Sequence, residues 1–279
     1  MSPAILAAVL GAALLHAAWN AIAHAITDRL LGFALIGASG MVCGGALAVA
    51  TGPPAPEVWP LLLGSALVHV VYMSLLMLSY RTGEFGQVYP LARGTAPWVV
   101  ALAATVVIGE ALPPVHLAGV LVISAGLMAL VFAGGRPRPG QAPALVAAVA
   151  TGLAIAAYTV LDGSGARLSG DPVGYLAWLM LLQGPVFMIV AVITRRGRLV
   201  EQLRPIWRVG ALGGALSAGA YGLVLWAQTQ GALASVAALR ETSIVFGAII
   251  GAIAFKESFG HVRSISAIAV VTGIVLLAL

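Results

Sequence analysis

Two arginines stand seven or eight residues inside long apolar stretches: Arg93 in 86–109 and Arg240 in 232–255. An arginine near the centre of a membrane-spanning helix costs roughly 2.5–3.5 kcal/mol on the insertion scale. Such a residue is expected to face a cavity and to hold a partner there. A guanidinium is a planar fork that meets a carboxylate, phosphate or phosphonate with two hydrogen bonds. The alternatives are snorkelling to a membrane edge and internal pairing. Glu241 follows Arg240 directly. Two roles are open to it, a proton-coupling group or a fixed counter-ion for Arg93. Neighbours on a helix do not face each other well, so a pair between residues 240 and 241 is not expected.

His16, Trp19 and Asn20 share one face of the first apolar stretch, at i, i+3 and i+4. They suit a substrate contact, with His16 able to titrate near neutral pH, or hydrogen bonding between helices. His69 and Tyr80 mark a similar face on the third stretch, lining a pathway or packed as structural donors. Tyr89 lies one turn before Arg93 on its face, and Tyr158 and Tyr221 lie mid-stretch. These rings can stack on a substrate or simply pack. Trp59, Tyr175 and Trp207 lie near stretch ends, where an interfacial aromatic belt is expected. Glu110 and Glu257 read as anchors at helix ends. Asp162-Gly163-Ser164-Gly165 reads as a turn, which leaves Glu241 as the only carboxylate well inside a stretch.

The elements that must position these residues follow from composition. The 279 residues are 61% hydrophobic and 8% charged, against about 25% charged in an ordinary soluble domain. Mean hydropathy is +1.05. A soluble enzyme, a disordered chain and a nucleic-acid reader are excluded. One cysteine, Cys43, excludes an intramolecular disulfide framework and a multi-cysteine metal site. No phosphate-binding loop or hydrolase motif is visible, so neither catalysis nor a cofactor is expected.

Ten stretches run roughly 3–23, 30–50, 58–80, 86–109, 113–135, 141–163, 172–194, 205–230, 232–255 and 261–279. Each is long enough to cross a bilayer and must do so as a helix. Met1-Ser2-Pro3 is no signal-peptide n-region, so the first span is expected to be retained. The odd-numbered loops with their flanks hold eleven Lys and Arg; the even-numbered loops hold Arg167 alone. The positive-inside rule makes the odd loops cytoplasmic and both termini outward.

The last two spans of each half align at an offset of 147, pairing Arg93 with Arg240, Thr95 with Thr242, Glu110 with Glu257 and Gly126 with Gly273. The first spans align at an offset of 139, where Ala17-Ala18-Trp19-Asn20 meets Ala156-Ala157-Tyr158-Thr159. Five spans per repeat is odd, so the halves are expected to be inverted. Residues 1–135 and 141–279 form the two repeats, joined by a stiff basic segment from Arg136 to Gly140. Inverted repeats mark alternating-access transporters, with the substrate near the midplane. Gly40/Gly44, Gly210/Gly214 and Gly247/Gly251 allow close helix approach. Pro90 and Pro97 are expected to bend the fourth span at the site, and Pro185 interrupts the seventh.

The run from Pro97 through Gly109-Glu110 to Gly119 and Gly126 resembles the EamA-domain signature, and the second half repeats it with Lys256-Glu257 and without the proline. The resemblance covers the whole chain and implies the drug/metabolite transporter superfamily. Its members mostly move small metabolites across the bacterial inner membrane. His16 to Asn20, Ala92 to Pro97 and Arg240-Glu241-Thr242 are similar to a subgroup associated with phosphonate utilisation.

The expected fold is an all-α integral membrane protein of ten transmembrane helices in two inverted five-helix repeats. The expected function is secondary transport, with export implied by the resemblance, of an amino acid or an anionic compound. Arg93 and Arg240 would bind the anionic group; His16, Trp19, Asn20, His69, Tyr80, Tyr89 and Tyr158 would line the site. Glu241 would couple to protons. The expected partners are the bilayer and a small-molecule substrate, with no nucleic acid and no metal; a monomer or a homodimer would suffice. A flippase for a lipid-linked substrate and a non-transporting scaffold are the other readings.

Overall fold

The computed structural model describes residues 1–82, 85–132, 140–246 and 261–279, with residues 24, 80–82, 85–86 and 263 described by their backbone alone. Every regular element among them is helical. They are α1 (Pro3–Ala25), α2 (Arg29–Thr51), α3 (Trp59–Thr82), α4 (Phe85–Ala103), α5 (Pro114–Ala129) and α6 (Ala142–Ser169), then α7 (Pro172–Gln183), α8 (Pro185–Arg195), α9 (Leu199–Leu203), α10 (Trp207–Gln230), α11 (Leu233–Arg240) and α12 (His261–Ala278). Eight stretches of the described residues are long and apolar enough to cross a membrane. Many large apolar side chains point outward, as Val49, Val106 and Ile193 do, while among the described residues seventeen polar or charged ones are buried alongside the apolar core. That apolar outer surface suits a bundle solvated by lipid.

Local chemistry sets the helix ends. Asp28 caps α2 by accepting from the Leu31 amide, and Asp171 caps α7 by accepting from Val173, ahead of Pro172 at the first helical position. Gly109 and Gly170 close their helices at positive φ, 75° and 65°, where a β-carbon is strained.

Two spans are discontinuous. The seventh is α7 and α8, parted at Gly184 and restarted by Pro185. The ninth stops at Arg240. There the Glu241 and Thr242 amides bond three residues back, to Ala238 and Leu239, and the helix resumes at Ser243. α4 stays helical through Pro90 and Pro97 and ends in a π-helical run, Ala104–Ile108. The sixth span also runs past its expected end at 163, to Ser169.

Packing follows a pattern that survives exchange of the halves. α1 packs on α10 and α3 on α6, while α2 packs on α7 and α8, and α5 on α12. Small residues set the last two contacts. A β-carbon on Gly37 would lie 2.7 Å from the Gly184 oxygen, and one on Gly44 would lie 2.6 Å from the Ala177 oxygen. One on Gly119 would lie 3.0 Å from the Gly273 oxygen, and one on Gly126 would lie 3.4 Å from that of Ser266. In both crossings the partner number falls as the first rises. The helices therefore run antiparallel, as inverted halves require. Gly247 and Gly251 lie outside the described residues.

Candidate functional site

The ninth-span break brings three charges together. Arg93 Nε lies 2.6 Å from Glu241 Oε2, a contact of opposite charges rather than an aligned hydrogen bond. Arg93 Nη2 donates to Ser243 Oγ at 3.1 Å, and the guanidinium stands 5.8 Å from the Tyr89 ring. Arg240 Nε is 3.6 Å from Glu241 Oε1. Its Nη2 is buried with no hydrogen-bond partner among the described residues. Arg93, Arg240 and Glu241 are 3%, 3% and 0% exposed. Two buried cations thus share one buried carboxylate. The tight turn at 241–242 lets residues 240 and 241 meet, which a continuous helix disfavours.

A cavity of about 120 Å³ lies between α1, α2, α3, α6, α7, α8, α10 and α11. His16, Trp19, His69, Tyr158, Tyr221 and Arg240 supply its polar and aromatic wall, and Phe33, Ile36, Met180 and Phe187 much of the rest. Tyr158 is the hinge of this wall. Its ring stacks on His69 at 4.1 Å between centroids, and the Arg240 guanidinium stands 5.8 Å from it.

The expected residues therefore divide. His16, Trp19, His69, Tyr158 and Arg240 meet at the cavity. Arg93 and Tyr89 are not on its wall; Arg93 is buried with Glu241, and Tyr89 is half-buried beside it. Asn20 donates to the His16 carbonyl at 2.8 Å within its own helix and is not on the wall. Trp19 Nε1 donates to His16 Nδ1 at 3.2 Å, so a neutral His16 carries its proton on Nε2. The Tyr80 side chain and Glu257 lie outside the described residues.

Two expectations are overturned. Asp162 is not in a turn; it sits inside α6 and is fully buried, so Glu241 is not the only carboxylate within a span. Tyr175 is not interfacial; it is fully buried and donates to Asp162 Oδ1 at 2.9 Å. Tyr221 donates to Oδ2 of the same carboxylate. The glycines after Asp162 serve packing: Leu233 lies against Gly163 and the Tyr175 ring against Gly165. Small residues at these positions are the sequence signal for this contact, and they are also what makes the segment look like a turn.

A partly exposed ion pair stands at each end of α1. At one end Arg167 donates to Glu110 at 2.8 Å and to the Gln228 and Gly231 carbonyls, while Glu110 accepts from the Leu233 amide. Glu110 is thus the anchor its position suggests. This end also holds an open hollow of about 510 Å³ beside Met1, His116 and Gly231. At the other end of α1, Arg195 pairs with Asp28 at 2.5 Å. The 23 residues of α1 put roughly 34 Å between the two ends, at 1.5 Å per residue. Among the described residues no group of three His, Cys, Asp or Glu side chains could hold a metal ion.

A crystal structure of another protein superposes with a TM-score of 0.75, over 99% of this chain and 96% of that one, at 19% identity. That likeness shows the fold. No curated protein matches the sequence. The EamA-like transporter family model matches residues 142–279. The chain is thus a multi-pass helical membrane protein whose second half, residues 142–279, is an EamA-like transporter family domain.

Proposed function

We propose that the chain is a secondary transporter that exports a small metabolite, an amino acid or an anionic compound, across the bacterial inner membrane by alternating access. Residues 1–135 and 141–279 act as its two repeats. One observation carries the substrate class. Arg240 is a buried cation on the cavity wall with an unpaired Nη2, and the nearest carboxylate, Glu241, is drawn to Arg93. One carboxylate cannot balance two buried cations, and uncompensated buried charge is expensive. A carboxylate, phosphate or phosphonate entering the cavity would supply the missing anion. Tyr158 and Trp19 offer flat apolar surface to the rest of the solute, and His16 an Nε2–H donor. Glu241 is then a fixed counter-ion for Arg93, and Arg93 holds the break in place rather than the solute. The two terminal ion pairs suit gates that open in turn.

The test is a melting-shift screen of the purified protein in detergent against amino acids, phosphonates, sugar phosphates and nucleosides. A ligand at a hundredfold excess over its Kd stabilises by about 2.7 kcal/mol. One anionic class is expected to stabilise the wild type and not Arg240→Gln. Equal stabilisation of both by neutral aromatic solutes would remove Arg240 from the site.

A further inference from the structure

We propose that His69 and Asp162 form a proton-binding site in the cavity wall, holding one exchangeable proton between His69 Nε2 and Asp162 Oδ2.

The assignment follows from donors and acceptors. His69 Nδ1 lies 3.0 Å from the Ser65 carbonyl and 3.2 Å from the Ser65 hydroxyl. A carbonyl oxygen only accepts, so the shorter Nδ1 contact favours a hydrogen on Nδ1, the Ser65 hydroxyl donating to that nitrogen only in the other tautomer. In the neutral ring Nε2 then carries a bare lone pair. It faces Asp162 Oδ2 at 4.0 Å. Oδ1 and Oδ2 accept from Tyr175 and Tyr221, and a carboxylate has no hydrogen of its own to offer. Two lone-pair atoms therefore confront each other, in a place 6% exposed on one side and closed on the other.

A single proton resolves the confrontation. Taken from water onto Nε2, it makes an imidazolium opposite a carboxylate, and the 4.0 Å gap can close to a charge-assisted hydrogen bond. Release returns the proton to water, and the site changes charge by one. His69 and Tyr221 both line the cavity, which gives the proton a route.

The groups facing this pair come from every packed element. α3 adds Tyr72, α6 Tyr158, α7 Tyr175, α10 Tyr221 and α11 Arg240. α4, packed on α6, carries Tyr89 and Arg93, which meet each other and Glu241 rather than the pair. Glu57, on the 3-10 turn before α3, is exposed. Tyr158 carries the consequence. Its ring touches His69 on one hand and approaches Arg240 on the other. Drawing His69 toward Asp162 disturbs that stack. On the transport reading above, on which this last link rests, the proton and the anion then sense one another through Tyr158.

The test needs no substrate. Full-length protein labelled with 15N-histidine is titrated in detergent, and the His69 resonances are assigned by their loss in His69→Gln. The wild type is expected to pass from the Nδ1–H neutral ring to the doubly protonated ring as pH falls. In Asp162→Asn the amide can donate to Nε2, so the ring is expected to stay neutral over the same range. Tyr221→Phe, which keeps the ring and frees Oδ2 from one donor, is expected to move the midpoint. A wild-type His69 that keeps one protonation state throughout would overturn the site, as would Asp162→Asn titrating like the wild type. Because no solute is added, this result and the substrate screen fail independently.

Discussion

Arg240 borders the cavity, whereas Arg93, its counterpart 147 residues earlier, is closed off behind Glu241 and Ser243. Matching positions in the two halves have taken different work. The cause is the ninth-span break, which delivers Glu241 and Ser243 to Arg93 and leaves the last residue of α11 facing the open space.

Glu241→Gln leaves two buried guanidinium groups without a carboxylate. Removing one member of a buried pair costs about 3–5 kcal/mol. A large fall in melting temperature in detergent is expected. The double change Arg93→Met with Glu241→Leu is expected to recover part of it, because it removes one of the two orphaned charges and leaves Arg240 alone.

Tyr158→Phe keeps the ring that faces both His69 and Arg240, while Tyr158→Leu removes it. An aromatic contact is worth about 0.5–1.5 kcal/mol beyond its buried area. Ligand affinity in Tyr158→Phe should stay near wild type. Tyr158→Leu should weaken it by about two- to tenfold, as read by titration calorimetry.

Gly37→Ala puts a methyl 2.7 Å from the Gly184 oxygen, where only backbone can yield. Overpacking of this kind costs about 1–3 kcal/mol. The melting temperature should fall by several degrees. Gly197→Ala, whose β-carbon meets open space, should leave it unchanged.

Glu110→Gln weakens the closure at the Arg167 end. The pair is 32% and 19% exposed, so solvent screening holds its worth to about 1 kcal/mol. That is about a fivefold shift toward an opened end. Ser235→Cys, 1% exposed as serine and placed in a Cys43→Ser background, reports on it. Its maleimide labelling should speed up about fivefold with Glu110→Gln.

Much of the fold is legible in the sequence because lipid leaves so few solutions. Apolar stretches of bilayer length must be helices, and Arg93 and Arg240 at one offset announce a repeat. The site is less legible. Arg240, His16, Trp19, His69 and Tyr158 stand out as polar or aromatic residues in apolar spans, and they do converge. Asp162 does not stand out, since the glycines that make room for Leu233 and Tyr175 imitate a turn. The break after Arg240 carries no proline or glycine at residues 240–243. It coincides with the long-range contact between Glu241 and Arg93, which no local pattern announces.

The central claim is that Arg240 receives the anionic group of a transported solute. Counterflow in proteoliposomes tests it most directly, with the radiolabelled anionic solute that stabilises the protein best. Wild type should exchange label against unlabelled solute, and Arg240→Gln should lose exchange by at least tenfold while keeping its fold. Exchange by Arg240→Gln at the wild-type rate would contradict the claim.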